Sequence, residues 1–176
     1  MQGSTEFSRS SLAVERLIFK QIEFLRKKSV IVVLLLALVV EAALLLRPLP
    51  VRSLDCRLYY FPSEIQGILA SFGEIGRRSY WVNEWIDLTF IATYSALLLG
   101  LLSRRLSGAK LFLFALAPGF FDFFETTGVL THLLSYPTSL HGVEIMISVC
   151  TPLKWLFWAV ALGVGTWDKW NPSQSR

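Results

Sequence analysis

From Ser29 to Leu46 the chain reads SVIVVLLLALVVEAALLL, with Glu41 as its one ionisable residue. A stretch of this length and apolarity matches the roughly 20 residues that cross a bilayer as a helix. In hydrocarbon every backbone N–H and C=O must be bonded within the protein, which leaves a helix or a closed barrel. A long unbroken apolar run, rather than short alternating segments, selects the helix. Runs at about residues 84–102, 110–130 and 143–165 read the same way. The predicted fold class is therefore all-α: a four-helix transmembrane bundle over residues 29–166, its first span at 29–47 and its tail at 167–176.

Composition agrees. The chain is 53% hydrophobic and only 17% charged, against about 25% charged residues in a soluble domain. Its net charge of +4 comes from cations set between the apolar runs. Such cations meet membrane lipids at the headgroups, and no nucleic-acid partner is expected. Cys56 and Cys150 form no CxxC or Cys/His cluster, so zinc binding and thiol–disulfide exchange are not predicted. The first apolar run starts late and has no small-residue cleavage site, so no cleaved signal peptide is expected.

Residues 1–28 are a lead followed by an amphipathic helix. From Ser11, a candidate N-cap, Val14, Leu17, Ile18, Ile22, Phe24 and Leu25 gather on one side and Arg16, Lys20, Glu23 and Lys27 on the other. A cation-rich amphipathic helix before a span lies along the headgroups, or else binds a partner helix. Between the first two spans Pro48, Pro50 and Pro62 interrupt any long helix. Ser63 with Gln66 offers a capping box for a short helix to about Ile75, with Gly73 and Gly76 as its stop. This segment is predicted to form a short helical extracytoplasmic cap.

Topology follows from the cations. With the N-terminus inside, eleven Lys and Arg residues fall in inner segments (Arg9, Arg16, Lys20, Arg26, Lys27, Lys28, Arg104, Arg105, Lys110, Lys169 and Arg176), against five in the outer loop (Arg47, Arg52, Arg57, Arg77 and Arg78). Both termini are thus expected in the cytoplasm. Tyr59, Tyr60, Tyr80, Trp81 and Trp85 would form the outer aromatic belt, and Trp167 and Trp170 the inner one.

Five ionisable residues lie inside the spans: Glu41, Asp87, Asp122, Glu125 and Lys154. Each costs a few kcal/mol at a helix centre, so they must face one another, a cavity or a ligand. Pro118, Gly119, Asp122, Glu125, Thr126, Val129 and His132 share one helical stripe, with Phe120, Phe121, Phe123 and Phe124 mostly on the other flank. Pro118-Gly119 is expected to loosen the backbone one turn before the acids. Tyr80, Glu84, Asp87, Ile91, Tyr94 and Ser95 share a face of the second span, with Ala92, Ala96 and Gly100 as a separate small-residue stripe. Glu144, Ser148, Thr151 and Lys154 share a face of the fourth. The acids all fall in the outer half, at one level. Arg77 or Arg78 folding inward, or a bound cation, would help Lys154 to neutralise them. His132 and His141 are expected as solvated histidines at the membrane edge, and Glu144 as a carboxylate at a helix start.

Three functions fit this constellation. In the leading one, a polar pocket of Asp87, Asp122, Glu125, Lys154, Arg77, Tyr94 and Glu41 binds a lipid-like or small amphipathic ligand, with or without transport. In the second, Asp122 and Glu125 act as general acid and base in an intramembrane lipid-modifying enzyme. In the third, the network only fixes helix packing in an assembly subunit with a membrane-complex or homo-oligomeric partner. A di-metal site in a helix bundle needs Glu-x-x-His pairs, and Asp122-x-x-Glu125 has no histidine. No metal or cofactor is expected.

The run Gly76-Arg77-Arg78-Ser79-Tyr80, then Asp87 and Tyr94, then Phe121-Asp122-Phe123-Phe124-Glu125 and the late Lys154, resembles a group of small four-span bacterial-type membrane proteins with a GRxxY…D…Y, FDxxE and lysine pattern. The resemblance covers roughly residues 48–158; it implies a four-span fold and carries no assigned activity. The span count is also similar to that of the sterol isomerase and sigma-2-receptor-like family, whose members bind lipidic ligands beside intramembrane acids. That similarity is one of architecture alone.

Overall fold

The computed structural model describes residues 3–46, 54 and 57–170, with side chains for 14–46, 54 and 57–166. Arg47, Arg52, Cys56 and Arg176, and the side chains of Arg9, Trp167, Lys169 and Trp170, lie outside this description. The described residues form α1 (Gly3–Leu25), α2 (Lys28–Leu45), α3 (Pro62–Ser71), α4 (Gly73–Leu102), α5 (Gly108–Ser135) and α6 (His141–Trp170). Among them α2, α4, α5 and α6 are long and apolar enough to cross a membrane. The all-helical bundle read from the apolar runs is the observed architecture.

The second long helix begins earlier than its apolar run. Gly73 and Gly76 do not stop a cap helix that reaches Ile75. Instead α3 ends at Ser71, and Gly73, with a φ of 63°, turns the chain directly into α4. Glycine takes this left-handed conformation without a Cβ penalty. The 30 residues of α4 extend for about 45 Å, so its first turns carry Arg77 and Arg78 on continuous helix at the cap end of the bundle. The start of α3 also differs from the expected Ser63–Gln66 box. Glu64 Oε2 accepts the Phe61 N–H at 2.8 Å, and Pro62 occupies the first turn, where its missing N–H is harmless. Gln66 reaches elsewhere, as described below.

The helix α5 is the middle of the bundle, packed against α4 on one side and α6 on the other. Close approach explains Gly119 and Gly128. A Cβ on Gly119 would lie 2.2 Å from Ser95 Oγ of α4, and one on Gly128 would lie 2.6 Å from Ile147 Cγ1 of α6. The helix runs through Pro118 without a break. All seven residues of its polar stripe are buried, whereas Phe120, Phe123 and Phe124 are exposed.

The helix α2 packs chiefly on α4 and has no buried residue. Val32, Val33, Leu35, Leu36, Val39 and Val40 form an exposed face, while Val30, Ile31, Leu34, Ala37, Leu38 and Glu41 are half-buried on the other. The helix α1 lies against α4 near Gly100, where a Cβ would sit 2.6 Å from the Leu25 carbonyl oxygen. Val14, Leu17, Phe19 and Phe24 remain exposed along α1.

Two apolar cores sit at opposite ends of the bundle. At the α3 end, here the cap end, Leu54, Tyr60, Ile65, Leu69, Phe72 and Tyr80 pack with Val129 and Ile147. Toward the other end Ile91, Tyr94, Leu98, Leu102, Leu111, Ala115 and Ala161 form the second core. Two of the residues expected in the aromatic belt thus point inward, since Tyr60 and Tyr80 are each 1% exposed, while Tyr59, Trp81 and Trp85 stay on the surface. Cys150 is a buried free thiol. Between the cores lies a layer of charge.

Candidate functional site

Asp122 and Glu125 are three residues apart on α5, so both project from one face. Lys154 of α6 meets them there. Its Nζ lies 2.8 Å from Asp122 Oδ1 and 2.8 Å from Glu125 Oε2, and none of the three residues is more than 6% exposed. The remaining oxygen of each acid takes a tyrosine: Tyr94 of α4 donates to Asp122 Oδ2 at 2.9 Å, and Tyr60 donates to Glu125 Oε1 at 3.1 Å. The cluster is thus a chain of five side chains, Tyr94–Asp122–Lys154–Glu125–Tyr60, closed around one cation. The Thr151 hydroxyl is 3.0 Å from Tyr60 Oη and equally close to the Ile147 carbonyl, and its single proton serves one of them at a time. Trp158 packs against the Tyr94 ring at 4.8 Å.

Asp87 is adjacent, accepting the Thr126 hydroxyl at 2.8 Å. Glu84, one turn nearer the cap end of α4, is fully buried. Glu41 is not with them. Its Oε1 lies 3.1 Å from the Thr93 hydroxyl, whose single proton it shares with the Thr89 carbonyl at 2.9 Å, on the flank of α4 that meets α2. Arg77 is not with them either. It stacks over the Tyr136 ring at 4.0 Å and donates to the Leu69 carbonyl at 3.3 Å. Tyr136 follows Asp122 by 14 residues, about 20 Å along α5. Arg78 pairs with Glu74 at 2.7 Å on the surface. Neither arginine folds inward to neutralise the acids; among the described cations that role falls to Lys154.

A second polar network closes the cap end. His132 Nε2 is 3.0 Å from Gln66 Oε1 and 3.4 Å from Glu144 Oε1, and Gln66 donates to the Pro137 carbonyl at 2.6 Å. Ser139 donates to Glu144 Oε1 at 2.7 Å, while the exposed His141 is 3.6 Å from Glu144 Oε2. His132 is wholly buried, so it is not the solvated edge histidine expected from sequence. The turn after α5 and the helix α3 fold over it. Among the described residues no three of His, Cys, Asp and Glu converge to hold a metal ion.

Open space among the described residues includes a groove of about 470 Å³ between the cap ends of α4 and α5, with Val82, Trp81, Leu133 and Leu134 as its apolar wall. Arg77, Arg78, Glu74 and Tyr136 form its rim. Sequence reasoning counted Arg77 as a site residue but missed this groove, because α4 was read as starting at Glu84. It also missed Tyr60 and Gln66 as partners of buried charge.

The fold and its network define a helical bundle with four helices of membrane-spanning length, three of which (α4, α5 and α6) enclose a buried acid–lysine cluster. No family model matches this chain, and no curated protein or solved structure is measurably similar to it.

Proposed function

We propose that this chain is a multi-pass membrane protein, both termini cytoplasmic, that binds a lipid-like or small amphipathic ligand at the outer end of its bundle. The observation that carries this reading is the groove between α4 and α5, where an apolar wall of Trp81, Val82, Leu133 and Leu134 meets a rim of two arginines, Glu74 and Tyr136. Its volume is within the range of small-molecule sites. Trp81 and Tyr136 are residues that favour the bilayer interface. The side assignment rests on the cation bias, and one contact supports it. Arg104, between α4 and α5, donates to the Arg26 carbonyl after α1 at 2.7 Å, so these cation-rich segments share one end.

In this reading Asp122, Glu125, Lys154 and Tyr94 hold the three helices in register beneath the groove. A second reading, an assembly subunit whose network serves packing alone, is favoured by the closure of that cluster: both acids are already tied to Lys154. The same closure weighs against acid/base catalysis by Asp122 and Glu125, since each acid has its oxygens occupied by lysine and tyrosine. Native mass spectrometry of the protein released from nanodiscs, with saturable binding of a fluorescent lipid, tests the binding reading. Retained amphiphile and saturable binding are expected. A bare protein with only non-saturable partitioning leaves the assembly reading in its place.

A further inference from the structure

Resting on that reading of the groove, we infer that its ligand is an anionic phospholipid, with the phosphate held by Arg77 and Arg78. Arg77 is the starting point. It is half-buried, yet among the described residues no carboxylate lies within ion-pairing distance of it. Its guanidinium has five N–H donors. One goes to the Leu69 carbonyl, and the plane is fixed on the Tyr136 ring. A partly desolvated cation with a fixed plane and unspent donors is set up for a planar or tetrahedral oxyanion.

Arg78 supplies a second cation at the next position of the same groove rim. Its ion pair with Glu74 joins two side chains that are 80% and 72% exposed. Exposed pairs of this kind contribute little, so a phosphate can draw Arg78 away from Glu74. With Glu74 the groove's one acid against two arginines, an anionic head is favoured over a zwitterionic one.

Polarity also changes along the groove. The arginines and Tyr136 mark its cap end. Val82, one turn beyond Arg78 on α4, and Leu133 on α5 mark the other. An amphiphile lies in it with its head among the cations and its chains toward the bundle middle. About 470 Å³ is enough for a phosphate, a glycerol unit and a few methylenes. The chains continue outward over Val82 and Leu134, which are 53% and 75% exposed.

The test uses the full-length protein in nanodiscs and compares retention of phosphatidylglycerol and phosphatidylcholine by native mass spectrometry and by titration of a fluorescent analogue of each. Saturable phosphatidylglycerol binding is expected, about tenfold weaker or more in Arg77→Gln and in Arg78→Glu, with phosphatidylcholine little changed. Arg77→Gln also loses the tie to α3. Arg78→Glu alters only an exposed side chain and keeps the test decisive if the first variant misfolds. Equal saturable binding of both lipids by the wild type, or phosphatidylglycerol binding unchanged in Arg78→Glu, would overturn the anionic assignment while leaving an amphiphile site. Displacement of the lipid by millimolar inorganic phosphate would overturn the lipid as the source of the phosphate. No saturable binding of either lipid would remove both this inference and the reading beneath it.

Discussion

Tyr60 and Glu125 are separated by 65 residues, yet the tyrosine hydroxyl donates to the carboxylate at 3.1 Å inside the bundle. Tyr60 belongs to the segment that precedes α3, and Glu125 to the middle of the central helix. Their contact means that the cap is a plug rather than a lid resting on top. Leu54 and Tyr60, both buried, enter between α4, α5 and α6 and complete the apolar core at that end. The polar layer beneath is therefore assembled from α4, α5, α6 and the cap together.

Removing the tyrosine hydroxyl tests this coupling. Tyr60→Phe keeps the ring in its core but strips one donor from Glu125 and one acceptor from the neighbourhood of Thr151. A cost of about 1–3 kcal/mol in unfolding is expected, the usual effect of removing one partner from a buried polar group. Hydrogen exchange should quicken in α3 more than in α2, which packs on the far side of α4. Uniform quickening across all helices would show that the cap is not tied to the acid cluster in this way.

Lys154 is the cation that both acids share, at 2.8 Å from each. Lys154→Met is expected to destabilise the bundle by about 3–5 kcal/mol, because removing one partner of a buried ion pair strands the other charge. The loss should be largely reversed in Lys154→Met/Asp122→Asn/Glu125→Gln, where the acids are neutral too. Thermal unfolding in detergent reads both variants. If the triple variant is no better than the single one, the cost lies in the packing of the lysine stem and not in its charge.

The sequence made the α5 stripe and its meeting with Lys154 legible for a simple reason. Helical periodicity separates Pro118, Gly119, Asp122, Glu125 and Val129 from the phenylalanines, and a membrane leaves polar groups few places to go. The same logic failed for α2. Its residues are apolar all round, so nothing in the pattern showed which way Glu41 points, and it joined the cluster in the reading but not in the structure. Tyr60 follows a proline-broken stretch with no periodicity, and the position of such a residue is set by tertiary packing alone. Arg77 was placed in a loop free to fold inward because Gly73 and Gly76 look like stop signals. Only the backbone shows that the first glycine starts a helix and the second lies within it.

Glu41 is consequently expected to behave unlike the other membrane acids. One of its oxygens competes with the Thr89 carbonyl for the Thr93 proton, while the other is buried with no hydrogen-bond partner. Glu41→Gln keeps an acceptor for Thr93 and removes a charge held in poor surroundings, so its stability should match or exceed that of the wild type, within about 1 kcal/mol. Asp122→Asn, measured in parallel, should lose stability because it breaks the pair with Lys154. Equal losses in the two variants would place Glu41 in the same energetic unit as the cluster.

The contact between α4 and α5 gives a sharper test, because it turns on the position of one atom. A Cβ at Gly119 would meet Ser95 Oγ at 2.2 Å, but Ser95 Cβ and Ile91 Cγ2 only at 3.5 Å, an ordinary contact. Gly119→Ala alone must displace the hydroxyl or the helix, at a cost of about 1–3 kcal/mol typical of overpacking. In a Ser95→Ala background the clashing oxygen is absent. Alanine's better helix propensity, worth up to about 1 kcal/mol over glycine, then remains as the main effect. The same substitution should thus destabilise the wild type and be neutral or stabilising in Ser95→Ala. A double-mutant cycle of unfolding free energies measures the reversal. Additive effects would mean that α4 and α5 do not approach each other at Gly119 as closely as the structure has them.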